Sequence, residues 1–265
     1  MATDTERKQY DGVATNYASV TDLPCSKIEA QLILAALGDP TGLSVLDLGG
    51  GSGLHARRAI DAGAASVDVL DISVEMMRIG ADIEKQLGRN ESKVRWIAAD
   101  LARPLGEQDA AKELREGGYD IVMANWLFDH ATSVEDLRAM WGNVVAYLKP
   151  GGKFLGVRVQ SIRAEYMKEE GKYGCTFTDI KEIPGGLSYK CNCLTQPPFS
   201  FDCTSMADSY TLADVIGKEL GLVGFEVVKP EETEVAKGDV EFWKDFVGDP
   251  NLAVIVARKP SVEVS

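Results

Sequence analysis

The sequence contains no long charge-free apolar run, so nothing in it is expected to span a bilayer. Its opening residues, MATDTERKQYDGVATNY, are polar and lack the apolar core of a signal peptide, which makes the cytosol the expected compartment. Basic residues are in the minority: 28 Lys and Arg stand against 41 Asp and Glu, a net charge of −13, and no Lys/Arg stripe offsets it locally. Such a surface repels phosphate backbones, so neither a nucleic acid nor a membrane is expected as a partner. Cysteine is sparse and irregularly spaced, at Cys25, Cys175, Cys191, Cys193 and Cys203. Cys191-x-Cys193 has neither the second pair nor the His partners of a zinc site, so no metal is expected and the thiols read as reduced. Histidine is scarcer still, limited to His55 and His130. No internal repeat and no signature of an oligomeric state is present.

What is there is ordinary for a globular chain: 265 residues, 45% hydrophobic and 26% charged, enough for one large domain spanning 1–265. Strand-like and helix-like stretches alternate over the first two thirds. Leu43–Leu48 is a short apolar run that ends in glycines, which predicts a buried strand, and Ser52–Gly63 predicts the helix after it. Val67–Asp71, Val94–Ala98, Ile121–Ala124 and Phe154–Val159 predict four more strands. Val74–Leu87 predicts a helix between the second and third. Val134, Leu137, Trp141, Val144 and Leu148 recur at spacings of three and four, one helical face, which Thr132-x-x-Glu135 is expected to cap. Alternation at this interval implies an α/β fold, doubly wound about a mostly parallel sheet.

Two regions break the alternation. Before the first strand, Ser26-x-x-Glu29 predicts a capped helix through Leu37, within an N-terminal helical segment of about 1–40. After the fifth strand, about 160–206 has no clean period and is rich in Tyr, Phe, Cys, Pro and Gly. It reads as an insertion with strands near Leu187–Cys193 and Phe199–Cys203. Thr211-x-x-Asp214 predicts a further capped helix, and Phe225–Val228 and Leu252–Ala257 a closing pair of strands.

The sharpest motif is Asp47-Leu-Gly49-Gly-Gly51-Ser-Gly53 between the first strand and its helix. Glycines there allow a tight turn and a close approach of ligand to backbone. A dinucleotide fingerprint would place a third glycine at position 54, which is Leu, and no G-x-x-x-x-G-K-[ST] run exists. No Tyr has a Lys four residues on, which removes the short-chain dehydrogenase pattern.

With these excluded, the chain resembles the class I S-adenosylmethionine-dependent methyltransferases over about 10–257. Asp71 ends the second strand in VDVLDIS, Ala99-Asp100-Leu101 follows the third, Leu148-Lys-Pro-Gly-Gly152 precedes the fifth, and Gly221-Leu-Val-Gly-Phe225 lies late, each where that family has a matching element. Tyr10-Asp-x-x-Ala14-x-x-Tyr17, Gly38-Asp-x-Thr-Gly42 and Asp71-Ile-Ser73-x-x-Met76 are similar to toxoflavin methyltransferase-like enzymes. The resemblance implies a seven-stranded Rossmann-like sheet and S-adenosyl-L-methionine as cofactor, leaving as S-adenosyl-L-homocysteine. It implies cofactor contacts from Tyr10, Tyr17, Asp47, Gly49, Gly51, Gly53, Asp71, Ile72, Met76, Asp100, Leu101 and Asn125. Asp71 would hold the ribose hydroxyls, Asp100 the adenine end and Asn125 the methionine moiety. Gly50 stands where many relatives have Cys or Ala, and is expected to leave that contact open.

The stretch Asn125-Trp-Leu-Phe-Asp-His130 follows the fourth strand and should face the reacting methyl, because ligands of open α/β sheets sit at the carboxyl ends of strands. His130 is a candidate base, with helix capping or packing as the bland alternative. Trp126, Phe128, Tyr166, Tyr173 and Phe199 are candidate walls for a small organic acceptor methylated on O, N or S, with packing within the insertion as the alternative. A catalytically silent binding or regulatory protein is the rival reading, since fold does not prove activity. Aminopropyl transfer would want additional acids near the fourth strand, where only Asp129 stands.

Overall fold

The computed structural model describes residues 9, 11–12, 18–89, 91–114, 116–168 and 171–261. Tyr10 and Tyr17 lie outside the described residues. The strands are β1 (Ser44–Leu48), β2 (Ser66–Asp71), β3 (Val94–Ala98), β4 (Tyr119–Met123), β5 (Leu148–Val159), β6 (Cys175–Ile183), β7 (Gly186–Cys193), β8 (Phe199–Met206), β9 (Val223–Val227) and β10 (Leu252–Arg258). The helices are α1 (Pro24–Leu37), α2 (Leu54–Asp61), α3 (Val74–Gln86), α4 (Val134–Tyr147), α5 (Ala207–Tyr210), α6 (Val215–Glu219), α7 (Glu234–Gly238) and α8 (Val240–Gly248).

Seven strands form one sheet in the order β3-β2-β1-β4-β5-β10-β9. β1 pairs in parallel with both β2 and β4, and β10 alone runs against its neighbours β5 and β9. Successive side chains of a strand face opposite ways, and the sheet uses this to feed two apolar layers. Val45, Val67, Val69, Leu155 and Val157 join α1 and α2 on one face. Leu46, Leu48, Leu70, Val122 and Phe154 join α4 on the other. Full burial of each such side chain is worth about 1.5–3 kcal/mol. The strand order reverses at β1, opening a crevice between β1 and β4 at their carboxyl ends, where ligands of doubly wound sheets bind.

The insertion is a second, antiparallel sheet, β6-β7-β8, with one strand more than the sequence suggests. β6 (CTFTDIKEI) alternates poorly because only its first residues are buried, which hides it from a pattern search. Asp129 fastens this sheet to the main one. Its buried carboxylate accepts the Ser205 Oγ–H at 2.5 Å and the Val159 N–H at 3.0 Å. Among the described residues, no helix is long and apolar enough to cross a membrane.

Three expected caps are corrected. α1 starts at Pro24, whose ring suits the first turn, so Ser26 and Glu29 lie inside the helix and cap nothing. α4 is capped one residue later than expected, by Ser133 Oγ accepting the Asp136 N–H at 3.1 Å. The stretch 207–219 forms two short helices: Thr211 Oγ1 bonds back to the Ala207 carbonyl, and Asp208 takes the Val215 N–H at 2.7 Å.

Candidate active site

The loop Gly49–Gly53 carries the chain from the end of β1 into α2 along the floor of the crevice. Gly51 has φ of +54°, a conformation that side chains disfavour, and its N–H donates to Asp71 Oδ2 at 2.8 Å. Asp71 Oδ1 accepts the Ser73 N–H at 2.8 Å. The acid thus braces the glycine loop and the turn into α3 together. A carboxylate has about four acceptor sites, so capacity is left for a ligand hydroxyl. Burial raises the Asp71 pKa, and the N–H donors of Ser73, Gly51 and Ile72 oppose that rise. Ser73 Oγ in turn accepts the Met76 N–H at 3.1 Å and donates to Asp11 Oδ1 at 2.5 Å.

Gly50 lines the crevice, and the place a side chain would take lies beneath the loop. A Cβ there would stand 2.6 Å from Asp47 Oδ2 and 2.7 Å from Val69 Cγ1, both held in strands beneath the loop. Asp47 lies under the glycines, fully buried, and does not line the crevice; burial and the nearby Asp71 charge push it up to about 7. Gly53 likewise stands off the cavity, its α-carbon face against the Trp96 indole.

Gly49, Gly51, Asp71, Ile72, Met76, Asp100, Leu101 and Asn125 line one cavity together. Asp100 Oδ1 accepts the Ala102 N–H at 3.0 Å, and Gln108 Oε1 accepts the Asp100 N–H at 2.9 Å, which fixes the loop after β3. Asn125 is buried, and neither its amide nitrogen nor its amide oxygen has a hydrogen-bond partner. A buried amide left this way costs free energy unless a ligand satisfies it. An amino-acid moiety carries the donors and acceptors to do so. The donor set therefore fits S-adenosylmethionine.

Past Asn125 the chain turns sharply. Trp126 has φ of +62°, rare for an aromatic residue, and its N–H reaches the Val157 carbonyl at 2.7 Å. This turn throws the indole across the crevice, where Nε1–H donates to Glu29 Oε2 at 3.2 Å. A second cavity opens on the far side of this indole. The two share Val20, Ser26, Glu29, Trp126 and His130 as a common wall. His130 is half-buried, and desolvation lowers its pKa to about 4, so it is neutral at pH 7.

Phe177, Tyr189, Phe201, Leu23 and Leu252 supply apolar surface to the second cavity, and all five cysteines reach it. All five are thiols without disulfides. The Cys175 thiol, bonded to Cys25 and buried, and the Cys203 thiol, buried beside Asp129, both sit above the usual thiol range and are neutral. Among the described residues, no group of three or more His, Cys, Asp or Glu could hold a metal ion.

Four expected walls stand elsewhere. Phe128 is in the main core, its ring centroid 4.4 Å from that of Trp141 and 6.1 Å from that of Phe154. Tyr173 is buried against α8, stacked on Trp243 at 4.9 Å with its hydroxyl on the Phe242 carbonyl. Tyr166 packs edge-on against Tyr173 and bonds the Asp249 carbonyl at 2.8 Å. Phe199 pairs with Phe201, and only Phe201 lines the cavity. Glu29, Ser26 and the cysteines went unrecognised in the sequence as one site because they lie far apart along the chain. A buried acid on an otherwise apolar helix face was the signal available for Glu29.

Residues 45–152 match the family model described as a methyltransferase domain. The chain is 29% identical to phosphoethanolamine N-methyltransferase 1 of Triticum aestivum over 127 residues, 48% of this chain and 23% of that protein. It is 29% identical to the mRNA cap guanine-N(7) methyltransferase of Aspergillus niger over 153 residues, 54% of this chain and 24% of that one. It thus spans about a quarter of the length of these curated relatives. Among solved structures, the CcbJ methyltransferase from Streptomyces caelestis superposes with a TM-score of 0.61 at 19% identity, covering 96% of this chain and 97% of the other. That likeness is one of fold.

Proposed function

We infer that the chain, whose residues 45–152 match a methyltransferase-domain model, is a class I S-adenosylmethionine-dependent enzyme that methylates a small, largely apolar organic acceptor seated in the second cavity. The observation that carries this reading is the confluence of a glycine-floored cavity bearing Asp71, Asp100 and Asn125 with an apolar, sulfur-lined one across Trp126 and His130. When bound, S-adenosylmethionine supplies a methyl group activated by a sulfonium centre. Asp71 would accept hydrogen bonds from the ribose hydroxyls, Asp100 and Leu101 would hold the adenine end, and the Asn125 amide the amino-acid end. The chain's own work is then to hold the acceptor in line and keep water away. Such positioning is worth roughly 7–11 kcal/mol of barrier.

Neither Lys nor Arg lines the second cavity, so a phosphate-bearing acceptor like those named for the two curated relatives finds no counter-charge there. The net charge of −13 further disfavours a nucleic-acid substrate. Aromatic rings and thiols instead suit a flat organic molecule, and the toxoflavin-like motifs favour a heterocyclic secondary metabolite among these. Calorimetry of S-adenosylmethionine with the wild type and with Asp71→Ala tests the donor half. Micromolar affinity that the substitution weakens about tenfold or more is expected, since hydrogen bonds to a charged group contribute about 1.5–3 kcal/mol each. A well-folded wild type that binds no donor refutes the reading. Labelled-methyl transfer to a panel of aromatic metabolites then reads the acceptor.

A further inference from the structure

Glu29 is one of two buried acids that line the second cavity, and it is the one that also lines the donor cavity. Its neighbours define its state. Arg58 Nη1 lies 3.1 Å from His55 Nδ1, and a guanidinium only donates, so that ring nitrogen is the acceptor. The ring proton of neutral His55 is therefore on Nε2, which stands 3.4 Å from Glu29 Oε1. The Trp126 Nε1–H, also only a donor, occupies Oε2 at 3.2 Å. Both carboxylate oxygens thus have a donor beside them, on a residue that lines both cavities at the seam where donor and acceptor meet.

The other groups at the seam are less suited. Asp129 has its oxygens committed to Ser205 and Val159. His130 is a weak base, its pKa lowered to about 4 by desolvation. We propose that Glu29 is the general base, and that the acceptor belongs to the class of molecules that lose a proton on methylation, such as a phenol, a ring N–H or a thiol. In the step, a bond forms between the acceptor atom and the methyl carbon while the sulfur–methyl bond breaks. That bonding pair returns to sulfur as a neutral thioether, and the acceptor's proton passes to a Glu29 oxygen, to be lost to solvent after release. Burial pushes the Glu29 carboxyl up to about 7, against the opposing Arg58 charge and Trp126 bond, which suits a base working near neutrality. The titratable groups around it are His55 and Arg58 from α2, Cys25 from its own helix, Cys175 from β6, and His130 from the loop after β4.

The proposal rests on the methyltransferase reading, and its test separates the two. In the full chain saturated with S-adenosylhomocysteine, isotope-labelled glutamate carboxyls are titrated by NMR, with Glu29→Gln assigning the resonance. A midpoint near about 7 is expected, and one at the ordinary 4.5 overturns the proposal. Turnover is then read with S-adenosylmethionine and two probe acceptors, a phenol and an aromatic thiol. Wild-type kcat should rise with pH to a plateau above about 7. Glu29→Gln should lose about 10²–10⁴ in kcat and lose that rise, with donor Kd and acceptor KM little changed, and Glu29→Asp should recover part. Wild-type kcat in Glu29→Gln overturns the proposal, as does transfer to neither probe by a protein that binds the donor. Failure to bind the donor at all overturns the methyltransferase reading itself.

Discussion

Arg158 of β5 is 1% exposed and pairs with Asp214, its Nη2 lying 2.7 Å from Oδ2 and 2.6 Å from Oδ1. The guanidinium stands 6.0 Å from the Trp141 ring centroid, while its Nε and Nη1 have no partner. Asp214 is therefore the chief compensation for a charge placed inside the core. Asp214→Asn keeps the side-chain shape and tolerates the residue's φ of +52°, but removes the negative charge. Breaking one side of a buried pair costs about 3–5 kcal/mol, because the remaining charge is left uncompensated. Asp214→Ala should lose roughly 1–2 kcal/mol more, through the left-handed backbone. At about 2–4 °C per kcal/mol for a chain of this size, Asp214→Asn should lower Tm by roughly 6–20 °C. Arg158→Met combined with Asp214→Asn should regain most of that loss, since removing both charges removes the uncompensated one. Urea unfolding followed by circular dichroism, with thermal melts alongside, measures all three variants. Asp214→Asn within about 1 kcal/mol of wild type would refute the reasoning, and so would a double variant no better than the single one.

Asp47 gives a pH-dependent effect of defined sign. Its pKa is raised from 3.8 to about 7 in the folded state, so its contribution is most favourable below 3.8 and is lost as pH rises through 7. Asp47→Asn should thus match wild-type stability near pH 4 and exceed it by a few kcal/mol at pH 8 in urea melts; equal curves at both pH values would contradict the assignment. Phe201→Trp, which fills the second cavity, should abolish transfer while leaving S-adenosylmethionine affinity within about twofold by calorimetry. A parallel loss of donor affinity would mean the two cavities are not separate subsites. The neutral thiols Cys175 and Cys203 should react slowly with a bulky charged disulfide reagent at pH 8 and rapidly in urea, and prompt native reactivity would place them outside the cavity.

The sheet and donor loop are readable from the chain because their signals are local. Val45–Leu48 is buried on both faces, Gly49–Gly53 punctuates it, and Asp71 ends the next strand. The seam is not local. Ser26 and Glu29 imitate a capping box, and only Pro24, which starts α1 two residues before Ser26, turns them inward. The cysteines look scattered because β6, β7 and β8 bring Cys175, Cys193 and Cys203 together by antiparallel pairing, in which Cys175 faces Cys193. Phe128 misleads for the opposite reason. It adjoins Trp126 in sequence, but the left-handed backbone at Trp126 sends the two rings to different layers.

The two cavities draw on different stretches of chain. The donor cavity is built mainly between positions 49 and 102, whereas much of the second cavity, the proposed acceptor side, comes from the single stretch 175–203. A lineage of such enzymes can therefore diverge in what it modifies by rewriting one contiguous segment, while the half that handles the shared reagent stays constant. Trp126 limits that drift. Its backbone conformation favours Gly, Asn and Asp over most residues, and none of these could reach Glu29 as the indole does, so the wall between the two cavities tolerates little exchange at this position.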